Sequence, residues 1–329
     1  MRYIPGVSPR ISSLLLVGLL LGPLAAGQER ERPAGPERPP TKTGDPGAAK
    51  KGAQGEGIFL RYAFAQLDGH VAEYRIQTIL RQSKRIDLSG GGKDSRKSGE
   101  GSAVSTTRQT YTCRFERDRR GKSSVHMTPT RLEATIEENG QRTRSYDSKK
   151  DAEAPKGLEG LTVRLDKTAI LEVNRLGEVK KIRGILPKLR DAYRNNFHRF
   201  PSRELRIGQG WEDKSKQPMP PFGNLHYFTT FRLKEIGKTD EGLARYTISA
   251  QLLVTYEGIS PTESSKLEIT EQKGGGHLIV DARGLLLEEK LNSKVVYLIK
   301  APAGRERHVV QTETVRWLAS LRKVGEEDK

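Results

Sequence analysis

Basic side chains form the densest group of chemically active residues in the sequence. Between residues 175 and 206, ten lysines and arginines face only three acidic residues. Ammonium and guanidinium groups bind phosphates and carboxylates, so such a cluster can contact an acidic polymer. The simpler interpretation is a solvated surface that keeps the protein soluble. If the cluster binds a polyanion, the predicted anion contacts are Lys180, Lys181, Arg183, Arg190 and Arg194.

Catalytic and metal-binding patterns are missing from the sequence. The six histidines are scattered, without the His-x-His or His-Glu-x-x-His spacing that places two metal ligands on one element. The Gly-x-Ser-x-Gly pattern of a nucleophilic serine is also missing. Glu137–Glu138 and Glu288–Glu289 fall in strand-like stretches, where neighbouring side chains point to opposite faces. We therefore predict no catalytic residue, no metal site and no cofactor, and we expect surface or strand positions for the histidines.

The single cysteine and the two tryptophans are interpreted as core residues. Cys113 alternates with Tyr111 and Phe115 against polar neighbours, which predicts a buried, unreactive thiol without a disulfide partner. Trp211 and Trp317 are expected to anchor the core, with Trp211 buried where two halves of the chain meet.

The N-terminal region predicts export. Arg2 and Arg10 precede an apolar run and a small-residue site, which is typical of a signal peptide over residues 1–27 cleaved before Gln28; an uncleaved anchor is the alternative. Residues 28–56 are rich in proline, glycine and charged residues and predict a disordered tether. The net charge is +17, or +15 once Arg2 and Arg10 leave with the signal (17 − 2). We expect a periplasmic or extracellular protein with no transmembrane span after cleavage.

The stretch F-P-S-R-E-L-R-I-G-Q-G-W, residues 200–211, divides the remaining chain into two halves. Pro201 disfavours helix at the residue before it, so a preceding helix should end here. Leu186, Leu189, Tyr193 and Phe197 recur at helical spacing and predict one short helix over about 186–198.

Alternating apolar residues on both sides of this stretch predict antiparallel strands. Predicted turns lie at Asp68–Gly69, where a strand from Ile58 to Phe64 would end, and at Asn139–Gly140, Leu176–Gly177 and Asp240–Gly242. Residues 170–182 and 278–291 share a strand–glycine–strand layout, which hints at a duplication. The later predicted segments are Lys266–Thr270, Leu278–Asp281, Leu285–Leu291, Val295–Ile299 and Val309–Leu318, the last a strand that ends as helix.

Four runs of sequence resemble an uncharacterised family of exported bacterial β-rich proteins, of the type frequent in planctomycete genomes. They are T-P-T-R-L-E-A-T-I-E-E-N-G-Q-R-T-R-S-Y-D-S, L-E-V-N-R-L-G-E-V-K-K-I-R-G, F-P-S-R-E-L-R-I-G-Q-G-W and G-G-G-H-L-I-V-D-A-R-G-L-L. The resemblance covers about residues 58–317 and implies an antiparallel β-sheet protein. The family is known by sequence rather than by activity, so it implies no catalytic or ligand residue.

Together these patterns predict a mainly β protein: an antiparallel, curved open sheet or half-barrel built from two similar halves. The predicted domain covers residues 57–320, with halves at about 57–184 and 203–318 and a charged tail over 321–329. We expect a non-enzymatic envelope protein that binds a lipid-like or apolar ligand. Two alternatives stay open: a basic surface that contacts acidic envelope polymers, and a hydrolase without a readable motif. Sequence-specific nucleic-acid binding is not expected.

Overall fold

The computed structural model describes residues 57–87, 99–119, 122–154, 162–190, 193, 196–219, 223–258, 266–301 and 304–325. The predicted signal peptide, the predicted tether and Arg194 lie outside the described residues. Within these ranges there are two three-residue 3-10 turns, at Phe64–Gln66 and Pro187–Leu189. The strands are β1 His70–Asp87, β2 Gly99–Arg117, β3 Ser123–Glu138, β4 Gln141–Asp147, β5 Ala169–Val173, β6 Val179–Arg183, β7 Gly210–Met219, β8 Gly223–Lys238, β9 Ala244–Gly258, β10 Lys266–Asp281, β11 Leu286–Ala301 and β12 Gly304–Lys323.

All twelve strands belong to one antiparallel sheet. The order is β6-β5-β3-β2-β1-β12-β11-β10-β9-β8-β7, with β4 paired to β3 outside this path. The first and last strands pair at the middle of the sheet over the whole length of β1. The edge strands β6 and β7 are consecutive in the chain, and residues 184–209, the connecting segment, join them. This arrangement confirms the predicted mainly β, antiparallel open sheet.

Period-two alternation explains why these segments are strands and defines an inner face of the sheet. In β9, Ile248, Ala250, Leu252 and Val254 are buried while Leu253 between them is 48% exposed. Successive side chains of a strand point to opposite faces, so the buried set lies on one side. The outer face carries the alternating polar residues. Turns form at the predicted Asn139–Gly140, Leu176–Gly177 and Asp240–Gly242 positions.

Two segments pack on the inner face and complete the main core. They are residues 57–67, the N-terminal strap, and the connecting segment. The strap and the connecting segment also bind each other, because Ile58 and Leu205 exchange two backbone hydrogen bonds of 2.8 Å. The buried side chains that they contribute are Leu60, Phe64, Leu67, Tyr193, Phe200 and Leu205.

The sheet is strongly curled. Eleven adjacent strands about 4.8 Å apart would make a flat sheet about 48 Å wide. Yet consecutive residues of the connecting segment reach both edges. The Phe200 amide donates to Leu176 O in the β5–β6 turn at 2.9 Å, and the Trp211 indole on β7 donates to Arg199 O at 2.7 Å. The inner face is therefore a trough, and the connecting segment crosses it at one end.

The sequence predictions for residues 58–64 and 186–198 are wrong. Residues 58–64 do not form a hairpin strand, because the Tyr62 and Ala63 amides donate to Arg175 O and Arg283 O in two turns of the sheet. Their alternation reflects burial against the inner face. Within the described part of residues 186–198, the predicted continuous helix is reduced to the 3-10 turn Pro187–Leu189 and helical backbone at Tyr193. Two of its periodic apolar residues still reach the core, since Tyr193 is buried and Phe197 packs against the main cluster, whereas Leu186 is 49% exposed.

The C-terminal strands are longer than the sequence predicts. The two segments predicted within residues 266–281 form the single strand β10, and a bulge between Ile269 and Glu271 shifts its register. The two segments predicted between residues 285 and 299 fall in β11, which begins at Leu286. The predicted helical end near Leu318 is wrong, because β12 continues as a strand to Lys323. Pairing with β1 holds this end extended as far as Lys323, whereas pairing with β11 ends at Trp317.

Candidate functional site

A charged pair lies buried on the inner face beneath the connecting segment. Glu289 of β11 and Arg316 of β12 are directly opposite each other in the sheet. Arg316 Nη2 lies 2.6 Å from Glu289 Oε2, and the two side chains are 2% and 0% exposed. Removing two charges from water is costly and is tolerated only where their mutual geometry is good. These residues therefore form the polar centre of this end of the trough.

The connecting segment attaches to this pair through His198 and Asn196. His198 Nε2 lies 3.1 Å from Glu289 Oε1 and 3.2 Å from Arg316 Nη2. Arg316 Nη1 donates to Asn196 O at 3.2 Å and lies 3.4 Å from the Tyr111 hydroxyl. A neutral ring nitrogen can donate or accept but not both, so His198 binds one partner of the pair at a time. The expectation of a surface or strand histidine is wrong for His198, which fastens the connecting segment to the sheet.

Titratable groups around the pair are held in fixed protonation states. Burial alone would raise the pKa of Glu289, but Arg316 and His198 lower it to about 2. Burial raises the pKa of Cys113 to about 12, and it raises the pKa of Tyr62 and of Tyr111 above their ordinary value. At neutral pH the carboxylate is ionised, and the thiol and phenols are protonated. Cys113 is buried, as predicted, and a protonated buried thiol is a poor nucleophile.

A cavity of about 30 Å³ lies beside the pair. This volume holds a water molecule or two and excludes any larger ligand. The strap and the connecting segment therefore fill this end of the trough. Among the residues that line the cavity are Tyr62, Tyr74, Tyr111, Cys113, Phe197 and His198.

The opposite end of the inner face, toward the β7–β8, β9–β10 and β11–β12 connections, carries a second apolar cluster that we call the far apolar surface. All its members come from strands β8 to β11, and Leu80 of β1 and Val310 of β12 also pack against its member Tyr297. Neither the N-terminal strap nor the connecting segment contributes a residue to it. Five of them are only partly buried, although apolar residues in a packed core are normally enclosed. The buried members are Leu225, Tyr227, Leu252, Val254 and Leu267; the partly buried ones are Tyr256, Ile269, Val295, Tyr297 and Ile299.

A polar group borders the far apolar surface. Glu306 Oε2 lies 2.9 Å from Lys84 Nζ and 3.1 Å from His308 Nε2. The His308 ring stacks on Tyr297, with ring centroids 4.8 Å apart. Burial lowers the pKa of His308, although Glu306 opposes that effect. The far apolar surface thus has a polar border at which a ligand's polar end can be oriented.

The structure does not gather the predicted anion contacts into one surface. Lys180 is paired with Glu178, and Arg183 lies 3.0 Å from Glu172. Lys181 and Arg183 are two residues apart on the edge strand β6, so they share a face that Lys180 does not. Arg190 is exposed, and Arg194 lies outside the described residues.

The two tryptophans have different environments. Trp211 is partly buried between the connecting segment and β8, and its ring stacks on Phe231 with centroids 5.1 Å apart. Trp317 is not a core anchor, because its neighbour Arg316 points inward and Trp317 therefore faces outward. It lies opposite Arg75 and Glu288 on the outer face.

Sequence reasoning missed how Glu289, Arg316 and His198 meet. Glu288 and Glu289 do point to opposite faces, and Glu288 lies 3.0 Å from His277. One signal in the sequence could have found Glu289. It lies two residues from the apolar Leu291 and therefore on the same face of the strand, which predicts a buried acid that needs a cationic partner. The identity of the partner depends on strand register, which the sequence does not display.

Within the described ranges, no group of three or more histidine, cysteine or acidic side chains could hold a metal ion. Across the same part of the chain, no helix is long and apolar enough to cross a membrane.

Comparisons with known proteins give only distant structural likenesses. No protein-family model matches the chain, and no curated protein matches it. A solved structure of lipovitellin, whose title describes lipid–protein interactions, superposes with a TM-score of 0.45 at 8% identity. That match covers 80% of this chain, which spans only 26% of the lipovitellin chain. An outer membrane channel from Pseudomonas putida F1 has a TM-score of 0.15 at 9% identity, with 75% of this chain and 96% of that chain covered. Both TM-scores are too low to establish a shared fold.

Proposed function

We propose that the protein is an exported, non-enzymatic binding module for a lipid-like or apolar ligand, and that the far apolar surface is its binding site. The observation that carries the proposal is the partial exposure of five apolar side chains on the inner face of the trough. Burying apolar surface releases about 25 cal/mol per Å², so an apolar ligand in this position gains affinity without further contacts. Export is proposed from the N-terminal sequence pattern alone.

The contrast between the two ends of the trough supports this assignment. At one end the N-terminal strap and the connecting segment cover the inner face, and the remaining cavity is the size of a water molecule or two. At the other end the cluster contains only residues of β8 to β11. The polar group of Lys84, Glu306 and His308 borders this end and favours an amphiphile over a pure hydrocarbon.

The burial of the charged groups supports a binding function rather than a catalytic one. Glu289, Arg316 and Cys113 are buried, and their protonation states are fixed far from neutral pH. A general acid or base works best when its pKa lies near the working pH, and it must reach its substrate. The polar groups at the filled end of the trough therefore suit a structural role.

A fluorescent long-chain fatty acid tests the proposal directly. Ile269→Asp and Ile299→Asp place a charge on the far apolar surface at partly buried positions. Leu253→Asp is the matched control, because Leu253 is exposed on the outer face of the neighbouring strand β9. Loss of a few buried methylenes and desolvation of a carboxylate should weaken binding about tenfold or more in the inner-face variants. The control variant should bind like the wild type.

Circular dichroism and thermal melting should show that all three variants remain folded. Equal probe affinity for the wild type and all three variants would show that the far apolar surface is not the binding site. Failure of the wild type to bind the probe, together with lipid-free protein in native mass spectrometry of freshly exported material, would remove the apolar-ligand function itself.

A further inference from the structure

A buried arginine without an acidic partner among the described residues packs beside Tyr193 of the connecting segment. Arg164 lies in the turn that leads into β5, and it is 7% exposed. Its Nε is buried without a hydrogen-bond partner, and no ion pair forms between its guanidinium and a carboxylate of the described residues. An unpaired buried charge is costly, and arginine cannot escape the cost by losing its proton at neutral pH.

A second unpartnered donor lies beside this guanidinium. The Arg164 guanidinium carbon lies 6.0 Å from the centre of the Tyr193 ring. Tyr193 is 1% exposed, and its hydroxyl is buried without a hydrogen-bond partner. The great majority of buried polar groups in proteins have hydrogen-bond partners, so two neighbouring groups that can both donate and have no partner point to a missing acceptor.

We propose that Arg164 and Tyr193 form a binding site for a small oxyanion, a phosphate or a carboxylate. The planar guanidinium presents paired N–H groups that match two oxygens of such an anion, and the phenol adds a third donor. The site is separate from the far apolar surface and from the exposed basic residues of β6, so it does not depend on the proposed function.

Among the described residues, no acidic neighbour that would repel an anion acts on Arg164. Burial lowers the pKa of Arg164, and of the described groups Tyr193 acts in the opposite direction. Burial raises the pKa of Tyr193, which keeps the phenol protonated as a donor, while Arg164 acts in the opposite direction. A bound oxyanion would supply the negative charge that these two groups lack.

Thermal unfolding with added inorganic phosphate or acetate tests the site. Sodium chloride keeps the ionic strength constant, and the variants are Arg164→Met, Tyr193→Phe and the exposed control Arg190→Met. In sodium chloride without phosphate or acetate, Arg164→Met should melt at or above the wild-type temperature, because it removes an unpaired buried charge. Added phosphate or acetate should raise the wild-type Tm by about 2–4 °C or more and should leave Arg164→Met unmoved.

The control and the second variant keep the test decisive. Arg190→Met should respond to the anions as the wild type does. Tyr193→Phe removes only a hydroxyl, so it should fold and bind the anion several-fold more weakly in calorimetric titration. A larger shift with phosphate than with acetate would identify the phosphate class, and the reverse the carboxylate class. The proposal is overturned by equal shifts in wild type, Arg164→Met and Tyr193→Phe, by no shift in the wild type, or by an Arg164→Met variant that is destabilised regardless of anion. The last result would show that the guanidinium already stabilises the fold without an anion.

Discussion

Glu289 and Arg316 show how strand register converts two ordinary residues into a buried charged centre. Each is fully or almost fully buried, and His198 lies within 3.2 Å of both. Such a pair adds little net stability compared with apolar residues of similar size. Removing one partner, however, leaves the other charge buried and unpaired in the core. The pair is therefore better understood as a fastening that specifies where the connecting segment sits.

Removal of one partner should be much more damaging than removal of both. Glu289→Gln leaves Arg316 charged and buried, and should lower the free energy of unfolding by about 3–5 kcal/mol. The double variant Glu289→Leu/Arg316→Met should be far less destabilised, since no charge remains buried. Glu288→Gln on the outer face is the control and should change stability by less than about 0.5 kcal/mol. Urea denaturation measures all three. A Glu289→Gln variant as stable as the control would show that the pair carries no such role.

Acid should weaken the same centre. The pKa of Glu289 is about 2 in the folded protein, against an ordinary value of 4.5. A carboxyl group with a lowered folded pKa stabilises the protein above its unfolded pKa, and this contribution is lost as the pH falls through the folded value. The wild type should therefore lose stability between about pH 4.5 and about pH 2, and Glu289→Leu/Arg316→Met should lose less across that window. Parallel denaturation curves at both ends of the window make the comparison. Identical pH dependence in the two proteins would contradict the assignment.

Parity along a strand was predictable from the sequence, whereas partners across strands were not. The alternation around Cys113 correctly placed its thiol inside, and the alternation of Glu288 and Glu289 correctly separated their faces. Trp317 was misplaced because its aromatic character outweighed its parity with the outward-facing residues of β12. His198 was misplaced because its partners lie on strands distant in sequence.

At the scale of elements, the connecting segment links the two edges of the sheet. Trp211 binds it to β7 by the indole bond to Arg199 O, and the Arg203 side chain adds a bond to Gly210 O. Trp211→Ala should lower the free energy of unfolding by about 3 kcal/mol, near the lower end for a large aromatic residue because its ring is only partly buried. Trp317→Ala on the outer face removes the same side chain and should cost less than half as much. Thermal and chemical denaturation of the two variants compare these positions. Equal losses would show that the connecting segment is not fastened through Trp211.

Two tight turns of the sheet have matching hydrogen bonds and hold the N-terminal strap. In the β5–β6 turn the Asn174 side chain accepts from the amides two and four residues ahead, and Asp281 does the same in the β10–β11 turn. Each turn contains a glycine with positive φ, Gly177 and Gly284. This match gives the predicted duplication local support, because the two turns fall in the two stretches with the same layout.

A methyl group at either turn glycine should displace a packed segment. A Cβ at Gly284 would lie 2.6 Å from Arg61 O, whereas a Cβ at Gly208 would meet nothing within 4 Å, although φ is positive at both. Gly208→Ala should therefore cost only the conformational penalty of about 1–2 kcal/mol. Gly284→Ala should cost clearly more, with increased protease sensitivity near residue 61. Equal stability of the two variants would show that the strap can shift without cost.

Element identity was predictable where a strong turn signal bounded an alternating run, as between β3 and β4 at Asn139–Gly140. It failed at residues 58–64, where alternation arises from packing across the sheet rather than within it. Local patterns cannot distinguish these two sources of burial. The uninterrupted length of β10 and β11 was missed for a related reason, because a glycine run and a bulge broke the alternation without ending the strand.

At the scale of the molecule, pairing of the first strand with the last makes the fold depend on the most distant parts of the chain. β1 and β12 pair along the whole of β1 in the middle of the sheet. Contacts of such high sequence separation are slow to form, because loop-closure entropy is lost before they contribute. The predicted halves therefore describe similar layouts rather than units that fold alone. No sequence pattern predicted that β1 pairs with β12 at the centre of the sheet, because the sequence of each strand is equally compatible with an edge position.

The excess of positive charge is also a property of the whole molecule, and the basic surface function can be tested against it. The net charge is +17, and many outer-face lysines and arginines are paired locally, as Arg183 is with Glu172. If the edge strand β6 contacts an acidic polymer, Lys181→Glu/Arg183→Glu should lower heparin affinity and flatten its dependence on salt, because each neutralised charge releases a counterion. Arg232→Glu/Lys234→Glu changes the net charge equally at exposed positions of β8, so it separates a local site from a general charge effect. Affinity measured at low and moderate salt should fall steeply only for the β6 variant. An equal fall in affinity in both variants would show that binding depends on net charge rather than on a local site. If affinity falls in neither variant, the basic residues form a solvated surface, and their mutual repulsion keeps a curled, open sheet from self-association.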